Sequence, residues 1–241
     1  MDIKKLYYFP LAGASSLTLK KIKSYFPHNV EAVCFDYPGH GKRIGENNAD
    51  SLNAMAEDAY NRIINDVAAD TEYYLAGHCI GAVIAYDICR RLTDNGMALP
   101  ARLIVSGHGI PSEIVPEGLG AMDDDTLIAY LVEKGLTDRS MADPVYRKMV
   151  KAMIIDPVRT DSALYDGYVF DMSGNKKIDC GIDVLYGKED TRFPETKLKA
   201  WSEYTSRDVR FKGFEGGHYF LIEKEKEYFT AISDIIAKGG I

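Results

Sequence analysis

Short apolar runs alternate with amphipathic segments along most of this sequence, and this alternation limits the possible folds more than any other feature. Six runs have the length and composition of buried strands, at residues 6–9, 30–35, 73–76, 103–106, 184–186 and 209–211. Helical periodicity occurs between or after them, at residues 51–69, 82–92 and about 222–237. The alternation predicts an α/β fold with a mostly parallel central sheet flanked by helices.

The length of the chain favours one domain. The chain has 241 residues, and at about 150 residues per domain this is one large domain or one domain with an insertion. We expect a single domain over residues 1–241. Residues 123–170 show helical patterns without a convincing strand, so we expect a helical lid insertion there that covers a site. An extra packing layer is the alternative.

The composition limits the kinds of partner and cofactor that this chain is expected to bind. The net charge is −7, and nucleic-acid binding depends on many Lys and Arg contacts to phosphates, so we expect no nucleic-acid partner. Since no apolar run approaches about 18 residues and no signal-peptide pattern is present, we expect no membrane span and a cytoplasmic location. The four cysteines form no C-x-x-C pair and no cluster with histidines, so we expect no metal and no cofactor. They are Cys34, Cys79, Cys89 and Cys180.

The strongest local signal is the motif GHCIG at residues 77–81, between a predicted strand and a predicted helix. This is the context of a nucleophile elbow, G-x-S-x-G, with Cys79 in place of the serine. So tight a turn leaves no room for side chains two residues before and after the nucleophile, which explains both glycines. The thiol would lie at a helix N-terminus, where amide dipoles stabilise a thiolate and a developing oxyanion. Elsewhere, a cysteine is more often a small buried apolar residue.

A thiol nucleophile needs a base and an acid that orients the base. In α/β-hydrolases the order along the chain is nucleophile, acid, histidine, and only His218 leaves room after Cys79 for a further strand and its acid. Asp190 follows the strand at 184–186 and is the candidate acid, which would fix the imidazole tautomer. Two other acids stay open as alternatives, Glu189 and Asp183. Three histidines are interpreted as structural or as lining the site: His40, His78 and His108.

An oxyanion hole needs two backbone N–H groups. One should belong to Ile80, the residue after the nucleophile, and the other should come from the loop after an early strand. That loop is at residues 9–16, and Ala12 is the candidate donor, with Leu11 as the alternative. A simple helix entry would have a similar composition.

Together these segments resemble the type II thioesterases, the discrete editing thioesterases of nonribosomal peptide and polyketide synthases. The resemblance covers nearly the whole chain, including the helical insertion and Trp201, and its segments occur in the order seen in that family. They lie at residues 9–15, 37–43, 77–81, 105–107, 159–161, 187–190 and 217–221.

The resemblance implies an α/β-hydrolase fold. It also implies hydrolysis of a small acyl group held as a thioester on the phosphopantetheine arm of an acyl or peptidyl carrier protein. By the same resemblance, Cys79, Asp190 and His218 take the triad positions, and Ala12 and Ile80 form the oxyanion hole.

The sequence departs from the family in two places. The first loop has Leu11 and Ala14 where the family usually has His and Gly. The elbow has Cys79 where the family normally has Ser. This second departure leaves three interpretations open: a natural thiol nucleophile, an engineered trap for a covalent adduct, or a changed outcome such as acyl transfer to an amine or ring closure.

Other functions also stay open. A dienelactone-hydrolase-like enzyme would use a cysteine on the same fold, and a carrier-binding or ligand-binding module would use the scaffold without catalysis. Because carrier proteins are typically acidic, docking to this acidic chain would need a local basic or apolar patch. The basic candidates lie in the insertion: Arg139, Arg147, Lys148 and Arg159.

Overall fold

Six parallel strands form the central sheet of the computed structural model, which describes residues 3–68, 71–171 and 177–238. The sheet order is β2-β1-β3-β4-β5-β6, and every neighbouring pair is parallel. The strands are β1 Lys4–Phe9, β2 Val30–Cys34, β3 Tyr73–His78, β4 Arg102–Ser106, β5 Ile182–Gly187 and β6 Val209–Phe214. β3, β4 and β5 are buried along their full length, as expected for a parallel sheet that is covered on both faces.

Helices connect the strands and cover the sheet. The α-helices are α1 Leu52–Asp66, α2 Ile80–Asp94, α3 Asp124–Glu133, α4 Arg147–Val150, α5 Asp156–Asp166, α6 Glu195–Leu198, α7 Phe220–Glu223 and α8 Glu225–Lys238. A π-helical segment, Lys151–Ile155, joins α4 to α5. Short 3-10 helices lie at Ile22–Tyr25, Gly41–Arg43, Leu119–Ala121, Arg139–Ala142, Pro144–Tyr146 and Lys199–Glu203.

The predicted α/β fold is confirmed, and each of the six apolar runs is a strand. Ser51 caps α1 as expected, because its hydroxyl accepts a hydrogen bond from the Ala54 amide at 3.1 Å. The helix ends at Asp66, three residues before the predicted end at Ala69, which lies outside the described residues.

The predicted last helix, from about Ile222 to Ala237, is confirmed as α8, which begins three residues later at Glu225 because a separate short helix, α7, precedes it. The backbone turns at Lys224, where φ is −118°, and this turn separates α7 from α8. The turn allows Phe220 to stack on Phe214, with ring centroids 5.0 Å apart, while Tyr228 packs against His78 at 6.3 Å. Both helices keep their apolar residues on the inner side, so hydrophobic periodicity does not reveal the break.

The helical insertion between β4 and β5 packs partly on its own core. No strand occurs between these two strands in the described part of the insertion. A small apolar cluster, separate from the main core, consists of Leu119, Leu127, Leu131, Val150, Ile155 and Val158. The helical content was predicted correctly, while the role of this segment as a lid and the single-domain organisation stay predictions.

The order of the strands places a crevice beside β1. The chain passes from β1 to β2 on one side and then to β3 on the other side of β1. In open parallel sheets, ligands bind at the carboxyl ends of the strands where the connections diverge in this way. The loop at residues 10–16 and the turn at residues 77–81 both leave the sheet at this point.

Candidate active site

Cys79 occupies a strained turn between β3 and α2. Its φ of 56° is positive, and no other non-glycine residue in the described ranges has a positive φ. A Cβ on Gly77 would lie 2.1 Å from the Gly81 carbonyl oxygen, and a Cβ on Gly81 would lie 2.1 Å from the Phe9 carbonyl oxygen. Both contacts are with backbone and cannot relax by a rotamer change. The structure therefore has the geometry of the predicted elbow at the predicted residues.

The turn aligns Cys79 with the N-terminus of α2. The Cys79 amide is held by the Ser106 carbonyl at 2.9 Å, and the Cys79 carbonyl accepts a hydrogen bond from the Ala82 amide at 3.0 Å. The Ile80 amide has no hydrogen-bond partner among the described residues. It is free to bind negative charge that develops beside the sulfur, where the helix dipole adds to the effect.

His218 and Asp190 come together in the loops after β6 and β5. His218 Nδ1 lies 2.9 Å from Asp190 Oδ2, and both side chains are buried. The other oxygen of Asp190, Oδ1, accepts hydrogen bonds from the amides of Arg192 at 2.8 Å and Phe193 at 3.2 Å. These bonds hold the carboxylate in place, so His218 keeps its proton on Nδ1 and directs Nε2 away from Asp190.

The charges around His218 favour its protonated form. Burial lowers the pKa of His218, but the hydrogen bond with Asp190 and the neighbouring Cys79 outweigh burial and raise this pKa to about 9. Burial also raises the pKa of Asp190, and the contact with His218 more than reverses this and lowers it below the usual value. His218 Nε2 is buried and has no hydrogen-bond partner within the described chain. This free nitrogen and the influence of Cys79 on its pKa indicate that the imidazole faces the thiol.

The loop after β1 presents one free amide to the same crevice. The Gly13 amide donates to Asp161 Oδ2 at 2.8 Å, and the Ala14 amide donates to the Leu11 carbonyl at 3.0 Å. The Ala12 amide makes no hydrogen bond to a described residue. Ala12 lines the cavity beside Cys79 and Ile80, which is where a second oxyanion donor is needed.

The alternative acids lie away from the imidazole. Asp183 forms an ion pair with Arg102, which also pairs with Asp208 at 3.0 Å. Glu189 is exposed, and the hydrogen bond to His218 comes from its neighbour Asp190.

The remaining candidate histidines have structural partners. His78 Nδ1 lies 2.9 Å from the Ser106 hydroxyl, and burial lowers the pKa of His78 well below its usual value. His108 Nδ1 donates to the Gly109 carbonyl at 2.9 Å and its Nε2 accepts from Tyr165, while burial lowers the pKa of His108 to about 3. His40 Nε2 lies 3.0 Å from Asp161 Oδ2.

Two spaces meet at the candidate site. A narrow, partly open cavity of about 30 Å³ lies between Cys79 and the helical insertion, which is room for about two water molecules. Its walls are formed by Leu11, Ala12, Cys79, Ile80, Glu117, Leu119, Leu131, Leu136, Val158, Ser162, Tyr165, Asp166, Arg192 and Tyr219. An open groove of about 520 Å³ lies on the other side and is lined by His218 and Asp190. Three residues border both spaces: Glu117, Arg192 and Tyr219.

Several of these lining residues were not predicted from the sequence. Arg192 forms an ion pair with Glu117 and donates to the Val115 carbonyl at 2.8 Å, although the two sides of the pair are 75 residues apart. No local pattern marks such a contact. Ser162 and Asp166 are separated by one helical turn and lie on the same side of α5 as Val158, so helical spacing could have grouped them.

The four basic candidates for docking differ in their surroundings. Arg147 pairs with Asp125, and Arg159 pairs with Asp124 at 2.8 Å. Arg139 and Lys148 are exposed, and no ion pair links either of them to a described residue. Several apolar side chains around Lys148 are also exposed: Val145, Tyr146, Met149 and Met153.

Helix length and the grouping of metal-ligating side chains are defined over residues 3–68, 71–171 and 177–238. No helix there is long and apolar enough to cross a membrane. No group of three or more His, Cys, Asp and Glu side chains in those ranges is arranged to hold a metal ion. The cytoplasmic location and the absence of a cofactor stay predictions.

Comparison with known proteins identifies the family of this chain. The profile of the thioesterase domain matches residues 4–238. The probable cadicidin biosynthesis thioesterase of Streptomyces griseus is 27% identical over 238 residues, which are 99% of this chain and 63% of that protein. Phenyloxazoline synthase MbtB of Mycobacterium tuberculosis is 27% identical over 214 residues, which are 88% of this chain and 15% of the synthase. This chain therefore spans less than two thirds of the length of both relatives.

A solved structure confirms the fold. ClbQ from the colibactin NRPS/PKS pathway superimposes with a TM-score of 0.85 at 22% identity, covering 99% of this chain and 98% of ClbQ. The parallel sheet with its flanking helices and this superposition give the chain the α/β-hydrolase fold. More specifically, the chain belongs to the thioesterase domain family.

Proposed function

We propose that this protein releases acyl groups from the phosphopantetheine thioesters of carrier proteins in nonribosomal peptide or polyketide biosynthesis, with Cys79 as the covalent nucleophile. The observation that carries the proposal is the position of Cys79 on the strained turn, with the free Ile80 amide beside it and the His218–Asp190 pair nearby. The names of the relatives support the pathway, since one is a biosynthetic thioesterase and another is a synthase.

In the acylation half, His218 takes the proton from the Cys79 thiol, and the sulfur attacks the carbonyl carbon of the substrate thioester. The carbonyl π electrons move to oxygen, and the amides of Ala12 and Ile80 stabilise the oxyanion. When the tetrahedral intermediate collapses, the bond from carbon to the carrier sulfur breaks and His218 protonates that sulfur. One thioester is exchanged for another, so this half is close to balanced in free energy.

In the deacylation half, His218 removes a proton from water, and the resulting hydroxide attacks the carbonyl of the acyl-Cys79. Collapse of the second intermediate breaks the bond to Cys79 Sγ, which recovers its proton from His218, and the carboxylic acid leaves. Acylation blocks the sulfur of Cys79, so the contribution of Cys79 to the raised pKa of His218 is lost. His218 is then more readily neutral, as a general base must be.

The two spaces beside the site suit the two halves of the substrate. His218 lines the open groove, and the group that protonates the leaving sulfur must face that sulfur. The pantetheine arm therefore belongs in the groove, and the acyl group belongs in the narrow cavity beside Cys79. A cavity of about 30 Å³ favours short acyl groups unless the insertion moves.

Intact-protein mass spectrometry tests the proposal directly. Wild-type protein is mixed with acyl-pantetheine thioesters and quenched at early times, and we expect a mass increase equal to the acyl group, together with release of free thiol. Cys79→Ala should form no adduct, and Cys79→Ser should retain hydrolysis. Full turnover by Cys79→Ala would disprove the role of Cys79. A parallel panel of lactones and oxygen esters tests the dienelactone-hydrolase alternative.

The fate of the acyl-enzyme is a separate question. A thioester on Cys79 reacts with amines as well as with water, so transfer to an amine or ring closure would use the same intermediate. Adding a primary amine to the acyl-pantetheine assay separates the outcomes, since hydrolysis gives the acid whereas transfer gives the amide. We expect the acid to remain the main product.

A further inference from the structure

One face of α5 brings two unpartnered polar groups to the cavity beside Cys79. Ser162 is 6% exposed, and its hydroxyl makes no hydrogen bond to another described residue. Asp166 lies one helical turn further along, and its Oδ1 is buried without a hydrogen-bond partner. No ion pair connects Asp166 to any residue that the structure describes. Both side chains line the cavity where the acyl group of the proposed mechanism would lie.

The other charges on the cavity wall compensate each other. Arg192 is paired with Glu117 and donates a second hydrogen bond to the Val115 carbonyl at 2.8 Å, while its Nε is buried without a hydrogen-bond partner. Asp166 is the remaining carboxylate on this wall, and no cation there is free to neutralise it. The Asp166 side chain is partly exposed, but its Oδ1 is buried, and a buried oxygen without a partner is costly. A ligand ammonium group that donates a hydrogen bond to this oxygen removes that cost.

We propose that Asp166 and Ser162 select acyl groups that carry an ammonium group, such as short aminoacyl groups, over alkyl groups of the same shape. This inference rests on the proposed function, because it assumes that the acyl chain on Cys79 occupies the cavity. The ammonium group donates one hydrogen bond to the Asp166 carboxylate and a second to the Ser162 hydroxyl. The apolar part of the acyl group packs against the leucines of the insertion.

The opposite charge preference has less support. An acyl group with a carboxylate would have to share the Arg192 guanidinium with Glu117, which already pairs with Nη1 and leaves only the buried Nε without a partner. It would also lie in the same small cavity as Asp166, and like charges at short range repel strongly in a desolvated site. The cavity therefore disfavours carboxyacyl groups.

Isosteric substrate pairs test the inference. Glycyl-pantetheine and propionyl-pantetheine differ by an ammonium group in place of a methyl group, and β-alanyl-pantetheine and butyryl-pantetheine form a second pair. Aminoacyl thioesters are intrinsically more reactive, so the measured quantity is the change in the ratio of kcat/KM values on mutation. We expect Asp166→Asn to lower the glycyl-to-propionyl ratio about tenfold or more, with little change for propionyl. Ser162→Ala should lower the same ratio by a smaller factor.

The controls separate the two proposals. Asp156→Asn removes an acid from the exposed side of the same helix, and it should leave the ratio unchanged. An unchanged ratio in both Asp166→Asn and Ser162→Ala, with hydrolysis intact, would overturn the selectivity while the thioesterase function stands. An equal loss for both substrates would assign Asp166 a structural role and also overturn it. If the wild type hydrolysed none of the four thioesters, the proposed function itself would fail.

Discussion

Asp161 on α5 accepts a hydrogen bond from the Gly13 amide, with 2.8 Å between Oδ2 and N. The same oxygen lies 3.0 Å from His40 Nε2, and both side chains are buried. Burial lowers the pKa of His40, but the contact with Asp161 outweighs burial and raises it above its usual value. The insertion is thus bonded to the loop that presents the Ala12 amide to the cavity.

We expect loss of this bond to reduce the rate of the chemical step. Asp161→Ala removes the acceptor for the Gly13 amide, so the Ala12 amide is less firmly placed. We expect kcat to fall about 10- to 100-fold, where the larger value approaches the effect of removing one oxyanion donor. Steady-state kinetics with an acyl-pantetheine thioester measures this effect. KM should change much less.

The conservative variant separates position from folding. Asp161→Asn keeps an acceptor for Gly13 and should recover much of the kcat that Asp161→Ala loses. A loss of thermal stability in both variants with kcat unchanged would contradict the positioning role.

The elbow glycines allow a matched stability test. Gly81→Ala places a Cβ about 2.1 Å from the Phe9 carbonyl oxygen, and we expect a loss of about 3 kcal/mol or more in the free energy of unfolding, since the contact is with backbone. Gly45→Ala has no atom within 4 Å of the added Cβ. This control should be neutral or more stable by up to about 1 kcal/mol. Urea unfolding of both variants gives the comparison, and equal values would contradict the close approach.

The influence of Cys79 on His218 can be measured by titration. Cys79 contributes to the raised pKa of His218, which is about 9. In Cys79→Ala this contribution is absent, so the pKa of His218 should fall. The contact with Asp190 remains in this variant and still raises the pKa against the effect of burial. NMR titration of the imidazole carbon protons measures the pKa in both proteins. An identical pKa would show that the thiol does not interact with the imidazole.

The contacts of His218 with Asp190 and Cys79 make stability depend on pH. The folded-state pKa of His218 is about 9, and the unfolded value is about 6.5. The stabilisation is therefore complete below about pH 6.5 and is lost as the pH rises through about 9; a shift of roughly 2.5 units corresponds to about 3 kcal/mol.

Asp190→Asn tests this dependence because it removes the first group that raises the pKa of His218. The variant should be less stable than the wild type at pH 6, and the difference should shrink toward pH 10. Denaturant unfolding across this range gives both curves. Parallel curves would contradict the coupling.

The exposed basic residues of the insertion allow a test of carrier docking. Arg139→Glu with Lys148→Glu should raise KM several-fold for an acyl group on an acidic carrier protein, because both side chains are exposed and charge reversal repels the partner. KM for the same acyl group on free pantetheine should not change. Asp234→Lys on the exposed side of α8, outside the insertion, serves as a charge control. Equal effects on both substrates would place docking elsewhere.

Local signals in the sequence identified the sheet and the elbow. Each strand is a short apolar run, and the glycines at 77 and 81 are required by contacts with backbone that any side chain would meet. The order of nucleophile, acid and histidine along the chain selected Asp190 and His218, which the structure brings to 2.9 Å.

The contacts of the insertion could not be predicted in the same way. Asp161 and Gly13 are 148 residues apart. Helical periodicity predicts which residues share a face of α5, but it does not predict which part of the chain that face contacts. The break at Lys224 was missed because both helices bury their apolar residues on one side of the turn.

The hydrogen bond from Gly13 to Asp161 links the position of α5 to the anchoring of the loop that carries the Ala12 amide. α5 carries Asp161 toward the first loop and also forms a wall of the cavity. If this helix swings outward to admit a bulky substrate, the bond must break and the loop loses its anchor. With α5 displaced outward the enzyme would then be inactive, and activity would return only after the helix closes over the substrate and the hydrogen bond forms again.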